Sequence, residues 1–130
     1  MKELIDNKDL GLLLARLGVG SVLLVHGIGK LAGIGPAAFP ASEFAMMLSG
    51  MGLPVPIAFA WLVTVVEAFG GFALIVGALT RYFSVLAAID MFAAMFLVHL
   101  NSGFAVSNGG YEFVFVMGMV ALALVFTGPG

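Results

Sequence analysis

The sequence predicts an all-α integral membrane protein, a four-helix bundle with a short interfacial helix between spans 1 and 2, and three observations predict it. Of its 130 residues, 62% are hydrophobic and only 9% are charged, against about 45–50% and about 25% in ordinary globular domains. A chain this short leaves a large share of its surface facing the solvent, so that solvent must be lipid. Each spanning helix takes about 20 residues plus a turn, and 130 residues therefore hold four. Long apolar runs separated by Gly, Pro and polar turns supply those four. The formal net charge of −2, with no basic stretch to match a phosphate backbone, leaves nucleic-acid binding without electrostatic support.

The chain opens on a mixed-charge segment containing Lys2, Glu3, Asp6, Lys8 and Asp9. Span 1 follows, at about 10–31, and its balanced charged start argues against a cleaved signal peptide. After Gly33-Ile34-Gly35-Pro36, residues 39–51 carry Phe39, Phe44, Met47, Leu48 and Met51 at helical spacing around Ser42 and Glu43. That pattern fits a short helix, either lying in the membrane interface or packed over the bundle as a cap. Leu53-Pro54-Val55-Pro56 stops it and opens span 2 at about 55–79, because Pro is accepted in a first helical turn and disfavoured later. Thr80-Arg81-Tyr82 makes a tight turn into span 3 at about 83–100. A polar loop from Asn101 to Gly110 leads to span 4 at about 111–127, ended by Gly128-Pro129-Gly130.

Four spans put both termini on one side, and the Lys/Arg balance selects which. Lys2, Lys8 and Arg81, with Arg16 close behind, share a side, whereas the opposite loops offer Lys30. The expected orientation has both termini on the inner, cytoplasmic side.

Ionisable groups in hydrocarbon cost about 2.5–3.5 kcal/mol each when central, so each one in a span needs a partner, a water cavity or a function. Seven residues qualify: Arg16, His26, Lys30, Glu67, Asp90, His99 and Glu112. Helical rotation of about 100° per residue brings Arg16, His26 and Lys30 into one arc of span 1. Glu67 lies at the middle of span 2, and Asp90 sits inside span 3 between the aligned Ala87 and Ala94. Depth along the helices suggests two clusters. One is an inner group in which Arg16 pairs with Asp90 or Glu67, read as a structural ion pair with Asp90. The other is an outer group of His26, Lys30, His99 and Glu112, read as ligand-binding. Asp90 and His99 are nine residues apart and so oppose each other on a regular helix. Bland readings stand beside these, with His99 and Glu112 as solvated boundary residues and His26 with Lys30 reaching to the headgroups.

The chain contains no cysteine, which removes thiol relays, iron–sulfur clusters and covalent haem attachment. No span carries the Glu-x-x-His repeat of a carboxylate-bridged bundle site, and no metal site is expected.

Arg16 to Lys30, ending in His26-Gly27-Ile28-Gly29-Lys30, is followed by Gly52-Leu53-Pro54, then by Glu67 with Gly70-Gly71-Phe72-Ala73-Leu74. Gly77-Ala78-Leu79-Thr80-Arg81, Gly109-Gly110-Tyr111-Glu112 and Gly128-Pro129-Gly130 complete the order. Over about residues 10–130 this resembles the DoxX family of small bacterial and archaeal membrane proteins. The resemblance implies a four-helix protein of the cytoplasmic membrane, related to the membrane subunit of thiosulfate:quinone oxidoreductase, with recurring polar positions at Arg16, His26, Lys30, Glu67, Arg81 and Glu112.

Two functions follow as expectations. The first is a quinone-interacting oxidoreductase subunit, in which His26 and Lys30 donate hydrogen bonds to the quinone while Glu67 or Glu112 moves protons. Glu67, His26 and Glu112 are its candidate catalytic residues, and a quinone is the cofactor implied. The second is a non-enzymatic scaffold or small-ligand carrier that partners oxidoreductases. Gly- and Ala-rich helix faces fit a homo-oligomer in either case.

Overall fold

A computed structural model describes residues 1–5 and 7–130; Asp6 lies outside the described residues. A single turn, α1 (Lys2–Ile5), precedes the first long helix, α2 (Lys8–Ala32). Asn7 caps α2 by accepting a hydrogen bond from the Leu10 N–H at 3.0 Å, which satisfies one of the donors that a helix start leaves free. At the other end Gly33 adopts φ 66°, and its N–H returns to the Gly29 carbonyl, the left-handed stop that Gly takes without a Cβ penalty.

The chain then folds back. The Phe39 N–H also donates to the Gly29 carbonyl, and α3 (Ala41–Gly50) starts directly behind it. Ala41, Ala45 and Leu48 of α3 are buried, and Ala45 and Leu48 pack with Ala60 of α4 (Pro56–Val76). The short helix is thus docked on the bundle, with Glu43 and Met46 exposed.

Helix α4 returns antiparallel to α2, and these two form the most extensive interface in the protein. Gly20 of α2 meets Gly71 and Ile75 of α4, Gly71 meets Leu24, and Gly27 lies against the backbone of Glu67 and Ala68. Glycines on both partners let the backbones approach as closely as small-residue membrane contacts allow. Among the described residues, two that are not glycine take left-handed backbone, Val55 (φ 48°) just before α4 and Leu79 (φ 49°) just before α5 (Thr80–Ala94).

Helix α5 does not run on regularly. Residues Met95–His99 widen into a π-helical turn, and Leu100–Ser102 tighten into a 3₁₀ turn. A loop containing a second 3₁₀ turn, Val106–Asn108, leads to α6 (Glu112–Thr127). The core joins Val19 and Leu23 of α2 and Leu74 of α4 to Ala87 and Met91 of α5 and to Met117 and Ala121 of α6.

Three helical stretches, Lys8–Ala32, Pro56–Val76 and Thr80–Ser102, are long and apolar enough to cross a bilayer. The fourth, Glu112–Thr127, is apolar but has 16 residues. At 1.5 Å per residue that is about 24 Å, short of the roughly 30 Å hydrocarbon core, and α6 lies alongside α5. The large hydrophobic side chains left exposed, Phe69, Phe72, Ile89, Phe96 and Phe126 among them, are the surface that lipid covers. Both chain ends lie at one end of the bundle, with Gly130 against Asp9 and Leu12.

Candidate functional site

A buried ion pair occupies the seam between α2 and α4: Lys30 Nζ lies 2.6 Å from Glu67 Oε2. Lys30 is 8% exposed and Glu67 5%. Helix geometry explains why they meet. Gly27 sits against Glu67 and Ala68, and Lys30 lies three residues further towards the end of α2. Cα–Cβ bonds tilt towards the N-terminus of their own helix, so on antiparallel helices the Lys30 side chain leans back into the bundle while Glu67 leans forward to meet it. The ring of Phe44, on α3, lies 5.1 Å from Nζ. That aromatic face attracts the ammonium and closes the pair on the α3 side.

The carboxyl of Asp90, on α5, adjoins that of Glu67, and its Oδ2 atom is buried without a hydrogen-bond partner among the described residues. One cation and two acids, drawn from three helices, thus form a single cluster. Thr64, one turn before Glu67 and fully buried, donates its hydroxyl to the Ala60 carbonyl at 2.7 Å.

The other candidates stand elsewhere. Arg16 does not pair with Asp90: its Nη1 donates to the Leu74 carbonyl at 3.3 Å, and its guanidinium abuts Gly77, the left-handed residue that ends α4. Leu74 is seven residues along α4 from Glu67, about 10 Å, which separates Arg16 from the acids. There it serves the C-terminal carbonyls of α4, where a cation is favoured by the helix dipole.

The expected outer group also separates. Lys30 leaves it for Glu67. His26 is exposed on α2, although it follows the buried Val19 by two turns, because α2 and α6 touch over only a short stretch. His99 Nδ1 lies 2.8 Å from the Gly109 carbonyl; a carbonyl can only accept, so Nδ1 carries the proton and His99 ties the π turn to the following loop. Glu112 is half-buried in the first turn of α6, where a carboxylate is stabilised by the helix N-terminus.

The ion pair borders a groove of about 580 Å³ between α3 and the start of α4. Lys30, Pro40, Ser42, Met46, Ile57 and Trp61 are among its lining residues. The groove is mostly apolar, with Lys30 as its cation. Phe44 and Trp61 were not among the sequence candidates as site residues. Their signal was only the helical spacing of Phe44 in the 39–51 segment and the presence of a single tryptophan in the chain.

A family model described as DoxX matches residues 11–100. Over 120 residues, 92% of this chain and 81% of the relative, the sequence is 28% identical to the Bacillus subtilis (strain 168) protein named "Putative oxidoreductase CatD". No solved structure matches.

Proposed function

Because the chain belongs to the DoxX family, we propose that it is the membrane component of a quinone-linked oxidoreductase, with the quinone as substrate in the groove between α3 and α4. The observation that carries this reading is a buried, charge-compensated lysine bordering an apolar groove at the level of the α2–α4 seam. Converting a quinone to a quinol takes two electrons and two protons. The chain has no cysteine, so no thiol within it relays the electrons, and this reading takes them from a partner oxidoreductase, a bound cofactor or the reduced substrate itself.

The residues present suit such a ligand. Lys30 keeps donor capacity beyond its bond to Glu67 and can hydrogen-bond a carbonyl oxygen, an interaction strengthened by its charge. Glu67 holds the ammonium in place, and Trp61, Pro40 and Ile57 offer an apolar wall for a ring and tail. The family resemblance to an oxidoreductase named in a relative supports the reaction class. The Lys/Arg balance supports cytoplasmic termini.

Trp61 is the sole tryptophan and lines the groove, so its fluorescence reports the site. Decylubiquinone added to purified protein in lipid nanodiscs is expected to quench Trp61 saturably. Replacing Lys30→Met should weaken the apparent affinity about tenfold or more, the worth of a charged hydrogen bond, while His26→Ala should leave it within about twofold. Quenching that never saturates, and is equal in wild type and Lys30→Met, would mean that the quinone is merely dissolved in lipid and would overturn the proposal.

A further inference from the structure

The second acid of the cluster, Asp90, has no place in the reading above, for it does not line the groove. Its surroundings are specific. Oδ2 is enclosed with no hydrogen-bond partner among the described residues, and its neighbour is another carboxyl, that of Glu67. The charged groups facing it are Glu67 from α4 and Lys30 from α2; α3 presents Phe44 to Lys30. Arg16, which could have supplied a second cation, is committed to the end of α4.

The charges therefore do not balance if both acids are ionised. Lys30 compensates one carboxylate at 2.6 Å, and a second would stand uncompensated, with Asp90 Oδ2 enclosed and without a hydrogen-bond partner among the described residues. Groups in such surroundings neutralise rather than remain charged alone. Two acids facing each other reach neutrality with Lys30 by holding one proton between them, and a proton between two carboxyls also fills the hydrogen bond that they otherwise lack.

We propose that Glu67 and Asp90 share a single proton, which makes Asp90 the proton-storing partner of the Lys30–Glu67 pair rather than a member of a structural salt bridge. Asp90 is a positioning residue: it acts through Glu67 and does not touch the groove. Resting on the quinone reading, the shared proton is one of the two that quinol formation consumes, passed from the carboxyl pair through Glu67 to Lys30 and on to the ligand oxygen. The pair is refilled with a proton from water before the next turnover.

Infrared spectroscopy of the protein in an ester-free detergent such as dodecyl maltoside tests the storage without any quinone. At about pH 8 exposed carboxyls, which ordinarily titrate near 4, are ionised, and the carboxylic-acid C=O band that depends on Asp90 then belongs to the buried pair. Wild type is expected to show that band, Asp90→Asn to lose it, and Lys30→Met to increase it about twofold because neutrality then needs two protons. Absence of the band in wild type, its survival in Asp90→Asn, or an unchanged band in Lys30→Met would each overturn the proposal. If Asp90→Asn does not fold, the wild-type and Lys30→Met spectra still decide. Decylubiquinone quenching of Trp61 in the same samples separates the two readings: the expected bands without saturable quenching would sink the quinone substrate and leave the shared proton standing.

Discussion

Gly27 illustrates how much one absent side chain decides. A Cβ there would run into the backbone of Glu67 and Ala68, so Gly27→Ala must push α2 from α4, and Lys30 from Glu67 with it. We expect a loss of about 1–3 kcal/mol, the usual cost of overpacking, read as a lowered Tm in detergent. Gly18→Ala, on the same helix but exposed and with open space around it, should be neutral or stabilise by up to about 1 kcal/mol, because alanine is the better helix former. Equal effects of the two substitutions would refute the close-packing account. The same residue scale is where sequence reading met its limit. Glu67 stood out as a lone mid-span acid, and Lys30 as a charge near the end of its span. Their pairing is not visible in a depth count at Cα positions, which leaves a lysine near a helix end reaching outward. Antiparallel packing tilts both side chains the other way. Arg16 was assigned by the same depth count, which could not see the carbonyls left free at the end of α4.

At the scale of elements, the wide turn at Met95–His99 changes what α5 can present. On a regular helix Asp90 and His99 point in opposite directions. Here α5 brings Asp90 to Glu67, and the π-helical turn delivers His99 to the Gly109 carbonyl at 2.8 Å. Such turns are rare and often sit at functional sites. Nothing in the composition of Met95-Phe96-Leu97-Val98-His99 announces one, which is why the sequence supported only a uniform span 3. The His99 bond anchors the loop that precedes α6, where the Tyr111 and Glu112 N–H groups donate to Gly103 and Phe104 carbonyls. His99→Ala removes one hydrogen bond, worth about 0.5–1.5 kcal/mol. Amide exchange at Gly110–Glu112 should therefore quicken by about two- to twelvefold, with the infrared band of the carboxyl pair unchanged. No change in exchange would show that the loop is held by other contacts. Helix α3 shows the opposite case: its spacing was legible over 39–51, and the structure adds what spacing cannot, that Ala45 and Leu48 dock on Ala60 of α4.

For the whole molecule, composition and turn residues carried most of the information. A chain that is 62% hydrophobic has one consistent solvent, and Gly33, Pro54–Pro56 and Gly128 mark helix ends that the structure keeps within a few residues. The last apolar helix, Glu112–Thr127, is shorter than the three stretches long enough to span, and its bounds are legible from the polar loop that precedes it and the Gly128-Pro129-Gly130 that ends it. Sidedness is the global property that a direct test can reach, since the chain has no native cysteine. Ser107→Cys, in the exposed loop before α6, should react with a membrane-impermeant maleimide in intact cells. Lys2→Cys, at the end shared by both termini, should react only after the membrane is opened. The reverse labelling would invert the orientation assigned from Lys and Arg.

The Lys30–Glu67 pair also imposes a schedule on synthesis, because its members are 37 positions apart. A ribosome working at about 5–20 residues per second needs about 2–7 s to make that stretch. During that interval the first span is in place while its partner does not yet exist, and an ammonium drawn to the bilayer centre alone would cost about 2.5–3.5 kcal/mol. Until Glu67 exists, the flexible Lys30 stem is free to hold the ammonium towards the headgroups, and the buried pair can form only after α4 is made. The contact that joins α2 to α4 is therefore made late, and the moment of its closure dates the point at which two inserted helices become one protein.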